Sequence, residues 1–151
     1  MVGIAKKFDY PCVIDDVIDE FILACKQVFA GDKLGILLVG SAARGELCWS
    51  MKKSSPYFYS DIEFIVVVEK MDGRCQAFSK KIAELEQKRN LGKRFKIDYV
   101  LNNWAGIARL DKKIFVFDSK NTGIELGEHS VKVLMPDVRK DNLNFHELND
   151  V

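Results

Sequence analysis

Leu37-Leu38-Val39-Gly40-Ser41-Ala42-Ala43-Arg44-Gly45-Glu46 and Ser60-Asp61-Ile62-Glu63 are the stretches on which the reading of this chain turns. Leu34 to Val39 is short and apolar and lies between Gly31-Asp32 and Gly40-Ser41, which predicts a buried strand. A strand that ends in Gly-Ser and opens a helical turn presents backbone N–H groups suited to a phosphate. Gly40 lets the backbone come close, Ser41 offers a hydroxyl, and Arg44 is placed to pair with a phosphate oxygen. Gly-Ser turns are common, so this feature alone decides nothing. Asp61 to Glu69 predicts a second buried strand, and alternation puts Asp61 and Glu63 on one face of it. Adjacent carboxylates repel unless something neutralises them, and a hard divalent cation takes oxygen ligands. Exposure at a sheet end, or pairing with Arg44 or a lysine, would serve as well. Asp98 sits inside Phe95-Lys96-Ile97-Asp98-Tyr99-Val100, part of a predicted third strand over Phe95 to Leu101. If that strand lies beside the second, three acids face the Gly-Ser turn, as two-metal phosphoryl chemistry requires.

Outward from these strands, the periodicity fills in a mixed α/β order. Val13, Ile14, Val17, Ile18, Phe21, Ile22, Cys25, Val28 and Phe29 recur at helical spacing after Pro11. Gly31 ends that helix. One or two helical turns are expected over Ala42 to Trp49, and Ser50 to Ser60 reads as a loop. After Asp72-Gly73, Ala77, Phe78, Ile82 and Leu85 mark one face of a helix to about Asn90. Asn102-Asn103 is expected to end the third strand, before a short helix near Trp104 to Leu110. Ile114 to Phe117 is apolar without a period, so strand and helix stay open there. A very short strand is expected near Ile124, and a polar tail from Pro136. Alternating helices and strands predict a small mixed sheet flanked by helices.

Composition bounds the function classes. The chain has 151 residues, 48% of them apolar and 30% charged. That is ordinary for one globular domain of ~100–200 residues. Lys plus Arg number 23 and Asp plus Glu 22, so a net charge of +1 offers no bulk attraction to nucleic acid or an anionic membrane. A local basic patch remains open. Ile36 to Val39 and Ile65 to Val68 are too short to span a bilayer, and Met1 to Tyr10 lacks the pattern of a secretory signal. Cys12, Cys25, Cys48 and Cys75 form no metal-binding or redox motif, which fits free thiols and a cytoplasmic location.

Together, Gly40-Ser41, Asp61-Ile62-Glu63 within an apolar strand and Asp98 on a later strand resemble the DNA polymerase β-type nucleotidyltransferase superfamily. Leu37 to Glu46 is similar to its small bacterial and archaeal members, and Ile124 to Glu128 resembles the short strand and glycine that close their catalytic domain. The likeness spans about Val13 to Glu128. It implies an α+β nucleotidyltransferase fold with a strand–Gly-Ser–helix–strand core. It also implies a catalytic domain over residues 1–128, with 129–151 as a C-terminal tail or docking arm rather than a helical domain. Asp61, Glu63 and Asp98 would be the catalytic acids and the metal ligands for two magnesium ions, with manganese as the alternative. Gly40, Ser41, Arg44 and Ser60 would hold the nucleotide phosphates. The reaction implied is in-line attack of an acceptor hydroxyl on the α-phosphorus of a nucleoside triphosphate, with release of pyrophosphate. ATP is the triphosphate favoured by frequency in the family. The acceptor could be a small molecule, a protein or RNA. The resemblance also makes Ile114 to Asn121 a helix.

This sequence departs from the family pattern in three ways. The stretch between Gly40 and Asp61 is longer than usual and carries Trp49, Lys52, Lys53, Tyr57, Phe58 and Tyr59. It forms either a basic, aromatic flap over a base or acceptor, or simply a longer surface loop. The second acid is glutamate, which can ligate magnesium with a longer arm. Residues 135–151 are too few for the helical acceptor-binding domain of larger members, so a homodimer or a helical partner protein could supply that surface. The alternative function is therefore a non-catalytic binding module, antitoxin-like or partner-dependent, with a structural α/β domain carrying coincidental acids as a third reading. Among lesser features, Lys93, Arg94 and Lys96 are either a phosphate-facing patch or a solvated strand edge. Lys88, Arg89, Lys93 and Arg94 could meet RNA but lack interleaved stacking residues in sequence. Tyr99 and Trp104 either stack on a base or pack in the core.

Overall fold

The computed structural model of the chain describes residues 3–111 and 114–138. Helix α1 (Ile4–Phe8) leads into α2 (Val13–Val28), then strand β1 (Gly35–Val39) and a single turn, α3 (Gly40–Ala43). Next come β2 (Trp49–Lys52), β3 (Ser55–Phe58), β4 (Ile62–Val68), α4 (Arg74–Arg89) and β5 (Ile97–Asn103). The described chain closes with α5 (Trp104–Ile107), α6 (Ile114–Thr122) and the two-residue strand β6 (Ile124–Glu125). The main sheet has the order β5-β4-β1-β6. β4 and β5 run parallel, as strands joined through a crossover helix must, whereas β1 is antiparallel to both β4 and β6.

Alternation along these strands divides the core in two. Ile36, Leu38, Ile62, Phe64, Val66 and Ile97 face the buried stripes of α2 and α4. There Phe21 of α2 stacks on Phe64 with ring centroids 3.8 Å apart, and Phe78 of α4 meets Phe21 edge-on. Burial of each such ring contributes roughly 1.5–3 kcal/mol. Leu37, Val39, Ile65 and Val67 point to the other face, where Ile107, Val116, Val131 and Met135 cover them.

The structure departs from the sequence reading in several places. Ser50 to Ser60 is not a loop. It belongs to a hairpin in which Trp49 pairs with Phe58 and Lys52 with Ser55. Its two central residues, Lys53 and Ser54, have φ of 50° and 66°, as a type I′ turn requires. Lys-Ser carries none of the Asn-Gly signature that normally announces such a turn. Trp49 accordingly lies in a strand, and the helical stretch after Gly40 is one turn only. α1 has no counterpart in the sequence reading. β5 runs through Asn102-Asn103, and the Asn103 side chain then caps α5 by accepting from the Gly106 N–H at 2.7 Å. Ile114 to Phe117 opens a helix, as the family resemblance implies and the local pattern alone left open.

Residues after Glu128 do not all stand away from the domain. Val131 and Met135 are buried, and the Lys120 ammonium donates to the Met135 carbonyl at 2.7 Å. The remainder of the 129–151 segment, from residue 139, lies outside the described residues. No helix among the described residues is long and apolar enough to cross a membrane.

Candidate active site

Asp61 directly precedes β4, Glu63 lies at its second position, and Asp98 pairs with Glu63 in register across to β5. Side chains two apart share a face, so the parallel β4–β5 pairing brings all three acids together. Each offers a carboxylate oxygen, and those oxygens lie within 4.8 Å of one another. The three acids therefore converge on one spot. Burial first, then hydrogen bonding and repulsion by Asp98 and the Glu63 charge, together raise the Asp61 carboxyl from 3.8 to about 6. Lys96 opposes that rise. Glu63 is also raised, first by burial, then by the charge of Asp98. The cluster therefore stores unfavourable negative charge. It is a hard, oxygen-only donor set that a divalent cation fits.

Gly40 sits where β1 ends, against this cluster. Its φ is +71°, and a Cβ there would overlap the Glu63 carboxylate. A side chain at position 40 is therefore excluded both by the left-handed backbone and by the acid it faces. Ser41 follows on α3. The Tyr10 hydroxyl donates to the Ala42 carbonyl at 3.0 Å, approaches the Ser41 carbonyl at 3.4 Å, and accepts from the Leu47 N–H at 3.2 Å. Tyr10, buried between α1 and α2, thus pins the Gly-Ser turn from beneath. Nothing in the sequence motif marks it.

Arg44 makes two ion pairs, with Glu46 at 3.1 Å and with Asp118 of α6 at 2.5 Å. Asp118 is a fourth acid at the site, and sequence reasoning missed it. Its charge reaches Glu63 and raises that carboxyl, whereas Arg44 lowers it. Asp118 lies in the one segment whose periodicity was mute, so no pattern could have placed it. The Ser60 Oγ accepts from the Cys48 N–H at 2.9 Å and ties the base of the hairpin to the start of β4. Beside Glu63 and Asp98 lies a cavity of about 240 Å³, walled by Val39, Val100 and Phe115. Tyr99 packs against Phe21 and Phe78 in the core. Trp104 donates its indole N–H to the Lys33 carbonyl at 3.0 Å. Both rings serve packing.

No family model matches the chain. A Methanocaldococcus jannaschii protein provisionally named a protein adenylyltransferase is 32% identical over 62 residues, which is 41% of this chain and 36% of that protein. The chain thus spans only about a third of the length of this curated relative. Among solved structures, spectinomycin adenyltransferase AAD(9) from Enterococcus faecialis, solved with ATP and spectinomycin, superposes with a TM-score of 0.61. The match covers 84% of this chain and 61% of that one at 15% identity, so it is a likeness of fold. That likeness gives the chain a fold of the nucleotidyltransferase type.

Proposed function

We propose that the chain is a magnesium-dependent nucleotidyltransferase that moves adenylate from ATP to a hydroxyl acceptor and releases pyrophosphate. The observation that carries this is the convergence of Asp61, Glu63 and Asp98 beside Gly40 on this fold. The three acids would hold the metal, which supplies charge neutralisation for the attacking and leaving oxygens. Gly40 and Ser41 would hold the outer phosphates, with Arg44 as the nearby cation. Asp98 is the most exposed of the three acids, which supports its turning toward the acceptor. It accepts the hydroxyl proton. The acceptor oxygen then bonds to the α-phosphorus while the bond to the pyrophosphate oxygen breaks. The longer arm of Glu63 is accommodated by the bare Gly40 backbone, which supports a working site at the position where aspartate is more usual.

Calorimetry tests this directly. ATP should bind with magnesium present, and binding should be lost with a chelator or in Asp61→Asn. Binding that ignores both the metal and the substitution would overturn the proposal.

A further inference from the structure

β5 is an edge strand: it pairs with β4 on one side and with no strand on the other among the described residues. The Ile62 N–H donates to the Lys96 carbonyl at 3.0 Å, and along a parallel pair every second residue turns its backbone groups to the same neighbour. Asp98, Val100 and Asn102 therefore bond to β4, whereas Ile97, Tyr99, Leu101 and Asn103 turn their groups outward. Two of those four outward N–H groups are already used. That of Ile97 donates to the Glu86 carboxylate of α4 at 2.8 Å, and that of Asn103 to the Asn102 side chain at 2.8 Å. The N–H groups of Tyr99 and Leu101, between them, have no partner among the described residues. Native sheets guard such an edge with lysine, proline or a bulge. Tyr99-Val100-Leu101 holds neither lysine nor proline, and the register with β4 runs unbroken from Ile97 to Asn103. Val100 shares a face with Asp98 and is 40% exposed, as is Phe115 across the same cavity.

We infer that this edge pairs with the β5 edge of a second copy of the chain, antiparallel, about a twofold axis at Val100. The two open donors fix the register. With Val100 opposite Val100, the Tyr99 N–H of one copy donates to the Leu101 carbonyl of the other, the Leu101 N–H donates to the Tyr99 carbonyl, and the axis repeats both bonds. Two four-stranded sheets then become one. Charge selects the same axis. An axis at Tyr99 would set the Asp98 carboxylate against Val100, and an axis at Asp98 would set it against its own copy, where like charges repel. The axis at Val100 sets it against the partner's Asn102, while Asn102 here has an amide NH2 with no partner among the described residues. Facing residues in that position stand ~4.5 Å apart at Cα, so the partner's Asn102 comes to the rim of the acid cluster. A second copy is the occupant because the edge complements itself: the donors, the apolar centre and the acid–amide pair all match under one axis. An unrelated extended peptide would use the donors but would not need the spacing of Asp98 and Asn102. So short a contact belongs with the weak, transient interfaces, and association depends on concentration.

The test is analytical ultracentrifugation of the whole chain, with a chelator and without nucleotide. Mass should rise from monomer toward dimer between micromolar and near-millimolar protein. Val100→Lys and Val100→Glu should each stay monomeric, because the axis sets like charges face to face, and an equimolar mixture of the two should dimerise. Asn102→Asp keeps an acceptor for the Asn103 N–H but sets a carboxylate against Asp98, so it should weaken the dimer. Circular dichroism holds each variant to the native fold. Val100→Cys is the conservative variant: Cα atoms facing each other at that position stand within the ~4.4–6.8 Å that a disulfide spans. With oxidised glutathione it should give a covalent dimer at least about tenfold faster than the wild type or Met71→Cys, an exposed site on the loop before α4. Those controls carry the background of the exposed Cys12 and Cys48 thiols. A wild type that stays monomeric throughout, a mixture no more dimeric than its components, an Asn102→Asp dimer of unchanged strength, or cross-linking no faster than in Met71→Cys would each overturn the inference. Because the pairing needs neither metal nor ATP, its failure leaves magnesium-dependent ATP binding intact, and the failure of that binding is read separately.

Discussion

The two faces of the main sheet differ by one residue of register and by almost everything else. Ile62, Phe64 and Val66 of β4 turn toward α2 and α4, into a core whose rings are stacked and closed. Glu63, Ile65 and Val67 turn the other way, where α5 and α6 cover Ile65 and Val67 but leave Glu63 beside Asp61 and Asp98. The first face is given over to burial along its whole length. The second gives up burial at one end and holds repelling carboxylates there instead. A strand of seven residues thus carries the packed core on one side and part of a carboxylate cluster on the other.

That contrast can be broken from either side. Phe21→Ala should cost about 3–5 kcal/mol in urea unfolding, because its ring fills the space between Phe64 and Phe78. ATP affinity per folded molecule should stay unchanged. A stable Phe21→Ala protein would mean that the first face is not the structural one. Asp61→Asn should do the reverse: turnover should fall by about 10²–10³-fold or more while the unfolding midpoint holds or rises. A variant that unfolds instead would place Asp61 among the structural residues.

Smaller effects sharpen the picture. Asp118→Asn should raise the KM for triphosphate about fivefold and leave kcat nearly unchanged, since it removes one charged hydrogen bond holding Arg44 and none of the reacting groups. A fall in kcat alone would give Asp118 a different role. The smallest effect is a tilt with pH. The folded chain holds the Asp61 proton more tightly than the unfolded chain does. Its contribution to stability is therefore fully present below about 3.8 and is lost as pH rises through about 6. Melts from pH 4 to 7 should show this decline in the wild type and a flatter line in Asp61→Asn. Magnesium should oppose the decline at the upper end, where the acids are charged.

How much of this was legible in advance depended on the reach of the signal. Asp61, Glu63 and Asp98 were readable because each lies in or directly before an apolar strand, where an acid is conspicuous and alternation fixes its face. The hairpin was not, because Lys53-Ser54 adopts a turn that its residue types do not advertise. Asp118 was not, because a helix packed on two sides shows no clear period. Arg44 was placed correctly near the Gly-Ser turn, yet its partners come from its own loop and from α6, and only folding could bring Asp118 to it. The place of β5 at the edge of the sheet is equally invisible in one dimension.

The sequence by itself determined the elements that carry the acids and the Gly-Ser turn, since hydrophobic period and residue chemistry act over a few neighbouring positions. Only the tertiary structure decided that the β4–β5 register sets Glu63 against Asp98, that Asp118 holds Arg44, and that β5 lies at the edge of the sheet. Those are relations between residues that are remote along the chain. They are set by which strands pair and how helices pack, and no local pattern encodes that choice.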